Sequence, residues 1–199
     1  MTDKRWIIKS MDIHSFKPIA DTKHIEFSRR MNMVVGAHKT GKTAFLQAIR
    51  WVCLDGKTEE TSQNLIFRGS ETLPASNLVE VSLTLSDDSN TEIVLKRITR
   101  KNSDNKISDE LFINEISASV NEVKNLIQNK SFCLIDSCSK DHFDSLTGDK
   151  QKQYIISTME ESIIQQAERF ISITKDECGI STIPVVISRW NDERNGNIA

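Results

Sequence analysis

The stretch MNMVVGAHKTGKTAFLQAIRWV, Met31 to Val52, decides the fold. Residues 31–35 form a short apolar run that ends at Gly36. A run of that kind, closed by a glycine turn, predicts a strand buried on both faces. From Thr43 the period changes: Ala44, Phe45, Ala48, Ile49 and Val52 share one stripe of a helix that stops before Asp55-Gly56. Between strand and helix lies Gly36-Ala-His-Lys-Thr-Gly41-Lys42-Thr43, a full match to G-x-x-x-x-G-K-[ST] in the context that motif requires. Gly36 and Gly41 permit the tight turn, so successive N–H groups of Gly36, Ala37, His38, Lys39, Thr40, Gly41, Lys42 and Thr43 can surround phosphate oxygens at a helix N-terminus. Lys42 is expected to reach the β- and γ-phosphates and the Thr43 hydroxyl to ligate Mg²⁺, which makes ATP and Mg²⁺ the expected cofactors.

Outward from this core, residues 5–16 and 23–28 read as strands. LVEVSLTLS (78–86) alternates over its length, and TEIVLKRI (91–98) follows an Asp-Asp-Ser-Asn turn, so the pair predicts an antiparallel hairpin. Residues 57–64 and 101–109 are polar loops, the second mobile, and LFIN (111–114) is a short strand. Ser119, with Glu122 three residues on, is a capping box for a helix over 120–128. SFCLID (131–136) is a second buried-strand candidate. Ile155, Met159, Ile163 and Ala167 recur at steps of four, which predicts a helix over 149–174 and, if continued, the start of a coiled coil. STIPVVISRW (181–190) is one more strand candidate, and 191–199 is expected to be disordered.

The chain of 199 residues suffices for one domain or one lobe of a larger one. Its apolar stretches are too short for a membrane span, and no apolar region follows the N-terminus as a secretory signal would. The four cysteines (53, 133, 138 and 178) lack the paired spacing of a zinc site or a disulfide framework. Charge is uneven: residues 1–50 hold 10 Lys/Arg against 4 Asp/Glu, a net +6, and the remainder carries −8. A positive first quarter points to a polyanion, either nucleotide phosphate or nucleic acid.

Residues 5–56, with the "IEF" at 25–27, "NMVVG" at 32–36 and "AIRWVCLDG" at 48–56, resemble the opening of an SMC (structural maintenance of chromosomes) ATPase head. LIFRGSETLPASNLVEVSLTL, KRITRK, FIN and ASVNEVKNLIQ follow in that family's order, and the resemblance extends to about residue 165. Over FCLIDSCSKDHFDSLTGDKQKQYIISTM it is similar to the sixth eukaryotic SMC protein, of the DNA-repair SMC complex. The resemblance implies an α/β P-loop NTPase of the ABC/SMC head type: an N-terminal lobe with a central sheet and an antiparallel β layer over 1–178, then a partly disordered extension over 179–199. It also implies partners: another SMC subunit or its C-terminal head lobe, a kleisin-type subunit and DNA, on chromosomes in a nucleus. His38, Lys39 and Thr40 depart from the family's usual Asn, Gly and Ser. Lys39 is the costly exchange, because a Gly there tolerates φ > 0 and close backbone approach.

Asp136 admits two readings. By resemblance it replaces the Q-loop Gln, which is the preferred reading; alternatively FCLID is a Walker B strand of a self-contained NTPase, although no Glu follows it as a general base. In both it lies near the metal. LTGDKQKQ (146–153) echoes the ABC signature but on the wrong side of such a strand. Arg68, Arg97, Arg100 and Lys101 are candidate contacts to DNA or nucleotide, with Lys96 beside them. Three functions are compatible with these motifs: an ATP-binding SMC-like head lobe completed by a partner, a truncated SMC-like regulator that docks without turnover, and an independent small P-loop NTPase using Asp136 for magnesium. ATPase activity is expected only with a partner's C-terminal lobe.

Overall fold

The computed structural model describes residues 5–55, 62–146, 149 and 151–188. Two sheets enclose one helix. The first sheet is antiparallel, in the order β2-β1-β4-β5-β6-β7: β1 (Ile7–His14), β2 (Lys23–Glu26), β4 (Leu78–Ser86), β5 (Glu92–Lys101), β6 (Ile107–Ile113) and β7 (Ile116–Ser117). The alternation over 78–86 is realised with Val79, Val81, Leu83 and Leu85 fully buried on the inner face. The polar segment 101–109 is more ordered than its composition predicts. Its second half begins β6, pairing residue for residue with β5 from Lys101↔Ile107 to Leu95↔Ile113.

The second sheet has the order β11-β10-β3-β9-β8, built from β3 (Met31–Val35), β8 (Phe132–Asp136), β9 (Gln153–Ser157), β10 (Arg169–Lys175) and β11 (Ser181–Ser188). β8, β9, β3 and β10 are parallel and β11 returns antiparallel. Both faces are covered. Val34, Ile155, Ile171 and Ile173 join the main core, whereas Met33, Ile135, Tyr154 and Ile156 pack with Phe143 and Ile163. The latter two belong to α3 (Lys140–Leu146) and α4 (Glu161–Ile164). Helix α1 (Lys42–Val52) lies between the sheets, and α2 (Val120–Ile127) carries the expected capping box, Ser119 with Glu122.

The helix expected over 149–174 is corrected by this architecture. Residues 153–157 are all buried as a central strand, so no alternation marks them, and the steps of four align Ile155, Met159, Ile163 and Ala167 by coincidence. Met159 is 68% exposed, which no core position of a helix would be. The segment therefore starts no coiled coil. The boundary expected at 178 falls in the β10–β11 turn, and the strand expected after it is present through Ser188, while 189–199 lie outside the described residues. So do 56–61, most of the expected loop at 57–64.

Gln153 joins the two sheets. Its fully buried amide accepts from the Ile8 N–H (2.9 Å) and donates to the carbonyls of Ile8 and Ser28 (both 2.7 Å). Replacing it by Leu takes this partner from the buried N–H and carbonyl of Ile8, while the Ser28 carbonyl keeps the Asn32 amide at 3.0 Å. Gln153→Leu is expected to lose about 2–4 kcal/mol in urea unfolding; a loss under about 0.5 kcal/mol would show that the clamp is dispensable.

Candidate phosphate-binding site

Parallel strands share one carboxyl edge, and ligands of open α/β sheets sit outside it where chain order reverses. Here that place is the end of β3, flanked by β9 on one side and β10 on the other. The loop 36–41 leaves β3 at this point and turns into α1. Gly36 adopts φ 154°, and a Cβ there would sit 2.2 Å from the Ile173 carbonyl oxygen on β10. Gly41 adopts φ 107° as the N-terminal cap of α1 and bears no side chain to bond the helix N–H groups. The first turn of α1 holds no acidic residue, so its N–H groups and positive dipole end are offered to an anion.

Side chains fix the loop from within. The Lys42 ammonium donates to the carbonyls of Gly36 (2.8 Å) and Ala37 (2.7 Å), which holds it across the loop. The Thr40 hydroxyl donates to the Ala37 carbonyl at 3.0 Å. Lys39 sits at φ 63°, the left-handed conformation that a glycine would enter without strain.

The opposite wall comes from the ends of β8 and β9. A cleft of about 380 Å³, within the range of small-molecule sites, is lined by His38, Lys39, Gly41, Lys42 and Thr43 and, facing them, Asp136, Ser137, Ser157, Thr158 and Met159. The N–H groups of Ser137 and Cys138 donate to the Ser157 carbonyl (3.0 and 3.4 Å), and the Thr158 hydroxyl donates to the Cys138 carbonyl (3.1 Å). Asp136 is thereby held on a rigid strand end. The structure thus brings together the expected loop residues, Thr43 and Asp136. Ser157, Thr158 and Met159 were hidden by the expected helix; an apolar run YII ending in Ser-Thr was the signal for a strand entering a site. Ser181, which meets the loop from behind, left no signal, being 141 residues from Thr40.

A hydroxyl and a carboxylate are oxygen donors suited to Mg²⁺, which is normally held by one or two protein oxygens plus substrate phosphates. Among the described residues no group of three or more His, Cys, Asp or Glu is placed to hold a metal ion. Among them, too, no helix is long and apolar enough to cross a membrane.

The basic candidates separate into two sets. Arg97 is 13% exposed at its side chain; its guanidinium lies 4.7 Å from the Trp51 ring centroid, donates to the Trp51 carbonyl (2.8 Å) and pairs with Asp109. Its charge is spent inside the fold, which corrects its expected role as a contact to DNA or nucleotide. Lys96 pairs with Glu115 and Arg100 with Glu110. Lys101 lies between two shallow surface grooves, one shared with Arg100 and Lys106 and the other with Arg68. Arg68, Arg100 and Lys101 therefore line two grooves joined at Lys101, neither of which shares a lining residue with the cleft at the phosphate loop.

Comparison with known proteins places this geometry. A family model described as the RecF/RecN/SMC N-terminal domain matches residues 7–134, more than half of the chain. The chromosome partition protein Smc of Lactiplantibacillus plantarum is 30% identical over 181 residues, covering 85% of this chain and 14% of that protein. Its counterpart in Mycoplasma genitalium is 30% identical over 60% of this chain and 13% of its own length. The chain thus spans about one-seventh of the length of these two relatives. Among solved structures, the SMC head domain from Thermotoga maritima superposes with a TM-score of 0.72 at 15% identity, over 91% of this chain and 98% of that one. The Smc head domain from Pyrococcus furiosus, bound to the C-terminal domain of ScpA, gives 0.79 at 12% identity, over 95% and 98%. The fold is that of an SMC-type P-loop head, and the chain belongs to the RecF/RecN/SMC N-terminal domain family.

Proposed function

We propose that this chain is an ATP-binding SMC-like head lobe, acting with SMC complexes in chromosome maintenance, that holds nucleotide without turning it over by itself. One observation carries the reading. Strands β3 and β8 run parallel with only β9 between them, and end on facing walls of one cleft. Lys42 and Thr43 stand on one wall and Asp136 on the other. That placement supports the Walker B reading of FCLID over the Q-loop reading, with Asp136 and Thr43 as the oxygen donors for Mg²⁺. ATP with Mg²⁺ would supply the phosphate charge that Lys42 and the α1 N-terminus are arranged to neutralise.

The residue after Asp136 is Ser137, exposed and at φ 58°. A hydroxyl does not take a proton from water at neutral pH as a carboxylate poised near that range does. Binding is therefore served better than hydrolysis, and turnover would need groups from a partner's C-terminal lobe. The same geometry serves the regulator reading, in which the chain docks on an SMC complex and competes with an intact subunit. The rival reading, an independent small NTPase, draws on the placement of Asp136 too and differs in requiring turnover by the chain alone.

Partners follow from the relatives: a second SMC-type head, and a kleisin-type subunit in the role that ScpA has for the heads solved with it. A chromosomal location follows from the same proteins. The narrower setting, DNA repair in a nucleus, rests on the resemblance of residues 132–159 to the sixth eukaryotic SMC protein. Arg68, Arg100 and Lys101 are proposed to meet DNA phosphate, since they line two grooves joined at Lys101 and that residue has no ion pair among the described residues.

Binding of Mg²⁺-ATP to the purified chain tests the central claim. Lys42→Ala is expected to weaken it about 10- to 100-fold, equivalent to about 1.5–3 kcal/mol of charge-assisted hydrogen bonding. Gly36→Ala should abolish binding, because its Cβ meets the Ile173 carbonyl. No saturable binding at millimolar ATP would sink the proposal; steady phosphate release by the chain alone, lost in Lys42→Ala, would favour the independent enzyme. For the basic surface, Lys101→Glu is expected to weaken retention of duplex DNA and flatten its salt dependence without loss of stability. Arg97→Ala should instead cost about 1–3 kcal/mol of stability, since it removes an ion pair and a ring contact from a mostly buried site.

A further inference from the structure

The phosphate loop is braced from behind by a residue that belongs to neither wall of the cleft. Ser181 opens β11, is 1% exposed, and is fixed at both ends: its N–H donates to the Pro18 carbonyl (2.8 Å) and its hydroxyl donates to the Thr40 carbonyl (2.6 Å). The turn that presents it is also fixed. The N–H of Ile180 donates to the Asp176 carboxylate (2.8 Å), and the N–H of Asp176 to the Ile180 carbonyl (3.0 Å). A Cβ on Gly41 would lie 2.6 Å from the Ser181 oxygen and 3.4 Å from Pro18, so both residues press on the back of the loop at this point.

The consequence follows from the planarity of the peptide. In a trans peptide the carbonyl and the next N–H point in opposite directions. The Thr40 carbonyl is drawn toward Ser181, behind the loop, so the Gly41 N–H is turned away from Ser181, to the side where Gly41 lines the cleft. We infer that Ser181 is a positioning residue for phosphate binding: its hydroxyl locks the Thr40–Gly41 peptide with the Gly41 N–H presented to a phosphate oxygen. The neighbouring Lys39 makes such a brace useful. At φ 63° its peptide is under strain that a glycine would not feel, and a bond to the next carbonyl keeps the loop from relaxing. The inference rests on the nucleotide reading and extends the site to a strand at the far end of the chain.

The test compares the full chain with Ser181→Ala, using Mg²⁺-ATP and inorganic pyrophosphate as probes and the Gly41 amide resonance as the structural readout. Ser181→Ala is expected to bind both probes about 3- to 10-fold more weakly, the effect of one hydrogen bond. The Gly41 amide should shift and broaden even before a probe is added. If Ser181→Ala does not fold, Ser181→Cys, close in size and a weak donor, takes its place with the same expectation. Absence of binding by the unaltered chain overturns the nucleotide reading and this inference with it. Binding by the unaltered chain that the substitution leaves within twofold overturns this inference alone, and so does weaker binding with an unmoved Gly41 amide.

Discussion

Everything in this fold depends on burying α1 on nearly every side. Seven of its residues, Ala44, Phe45, Leu46, Ala48, Ile49, Trp51 and Val52, are buried. No single apolar surface can cover a helix of that kind, so it needs a sheet on each flank. The antiparallel sheet takes one side with Val79, Val81, Leu83 and Leu85, and the parallel sheet takes the other with Val34, Ile155, Ile171 and Ile173. The far end of the helix is locked by Trp51, tilted against Phe16 at 5.8 Å and capped by the Arg97 guanidinium. Because α1 begins at Lys42, this packing also sets where the phosphate loop stands. Core and site are one constraint seen from two ends.

The two sheets then divide the work. On the outer face of the antiparallel sheet Lys96 and Arg100 are paired with Glu115 and Glu110, whereas Arg97, in register with Val81, pairs with Asp109 on the inner face beside Trp51. Such pairs lend register more than stability, with Arg97 the exception because it is mostly buried. The parallel sheet is buried on both faces and leaves only its carboxyl edge to act on a ligand. There, four strand ends converge: β3 gives the loop, β10 the carbonyl that keeps Gly36 bare, β8 the carboxylate of Asp136, and β9 the polar wall of Ser157 and Thr158. Gln153 couples the halves, since it begins β9 and binds the backbone of β1.

What could be read in the sequence is what local chemistry specifies. The phosphate loop, the onset of α1, the hairpin of β4 and β5 and the Ser119–Glu122 capping box each depend on residues within a few positions of one another. The central strand β9 was illegible because a strand buried on both faces loses its period of two, leaving four apolar residues to mimic a helical one. Asp136 was recognised as a metal candidate, but its role depends on which strands lie beside β8, and that is a property of topology. Arg97 illustrates the same limit. Nothing near it in the chain announces that Trp51, 46 positions earlier, will offer it a ring face and a carbonyl. The family resemblance supplied the class of fold, and the spatial neighbours supplied the roles.

Two of the departures from the family pattern sit on opposite walls of the cleft, and both are left-handed: Lys39 at φ 63° and Ser137, where a general-base Glu is missing, at φ 58°. Non-glycine residues hold such conformations only where their surroundings determine them more strongly than their own preferences. On the loop wall the surroundings are the Lys42, Thr40 and Ser181 bonds. On the strand wall they are the two N–H groups donated to the Ser157 carbonyl. Neither wall has relaxed into a looser turn, although each bears a side chain that makes the turn harder to form. The strain is retained where phosphate oxygens and a metal would be positioned, and the exchange to Ser137 falls where a proton acceptor would stand. On the proposed reading the two strained turns serve the holding of a ligand, and Ser137 offers no proton acceptor for cleaving it.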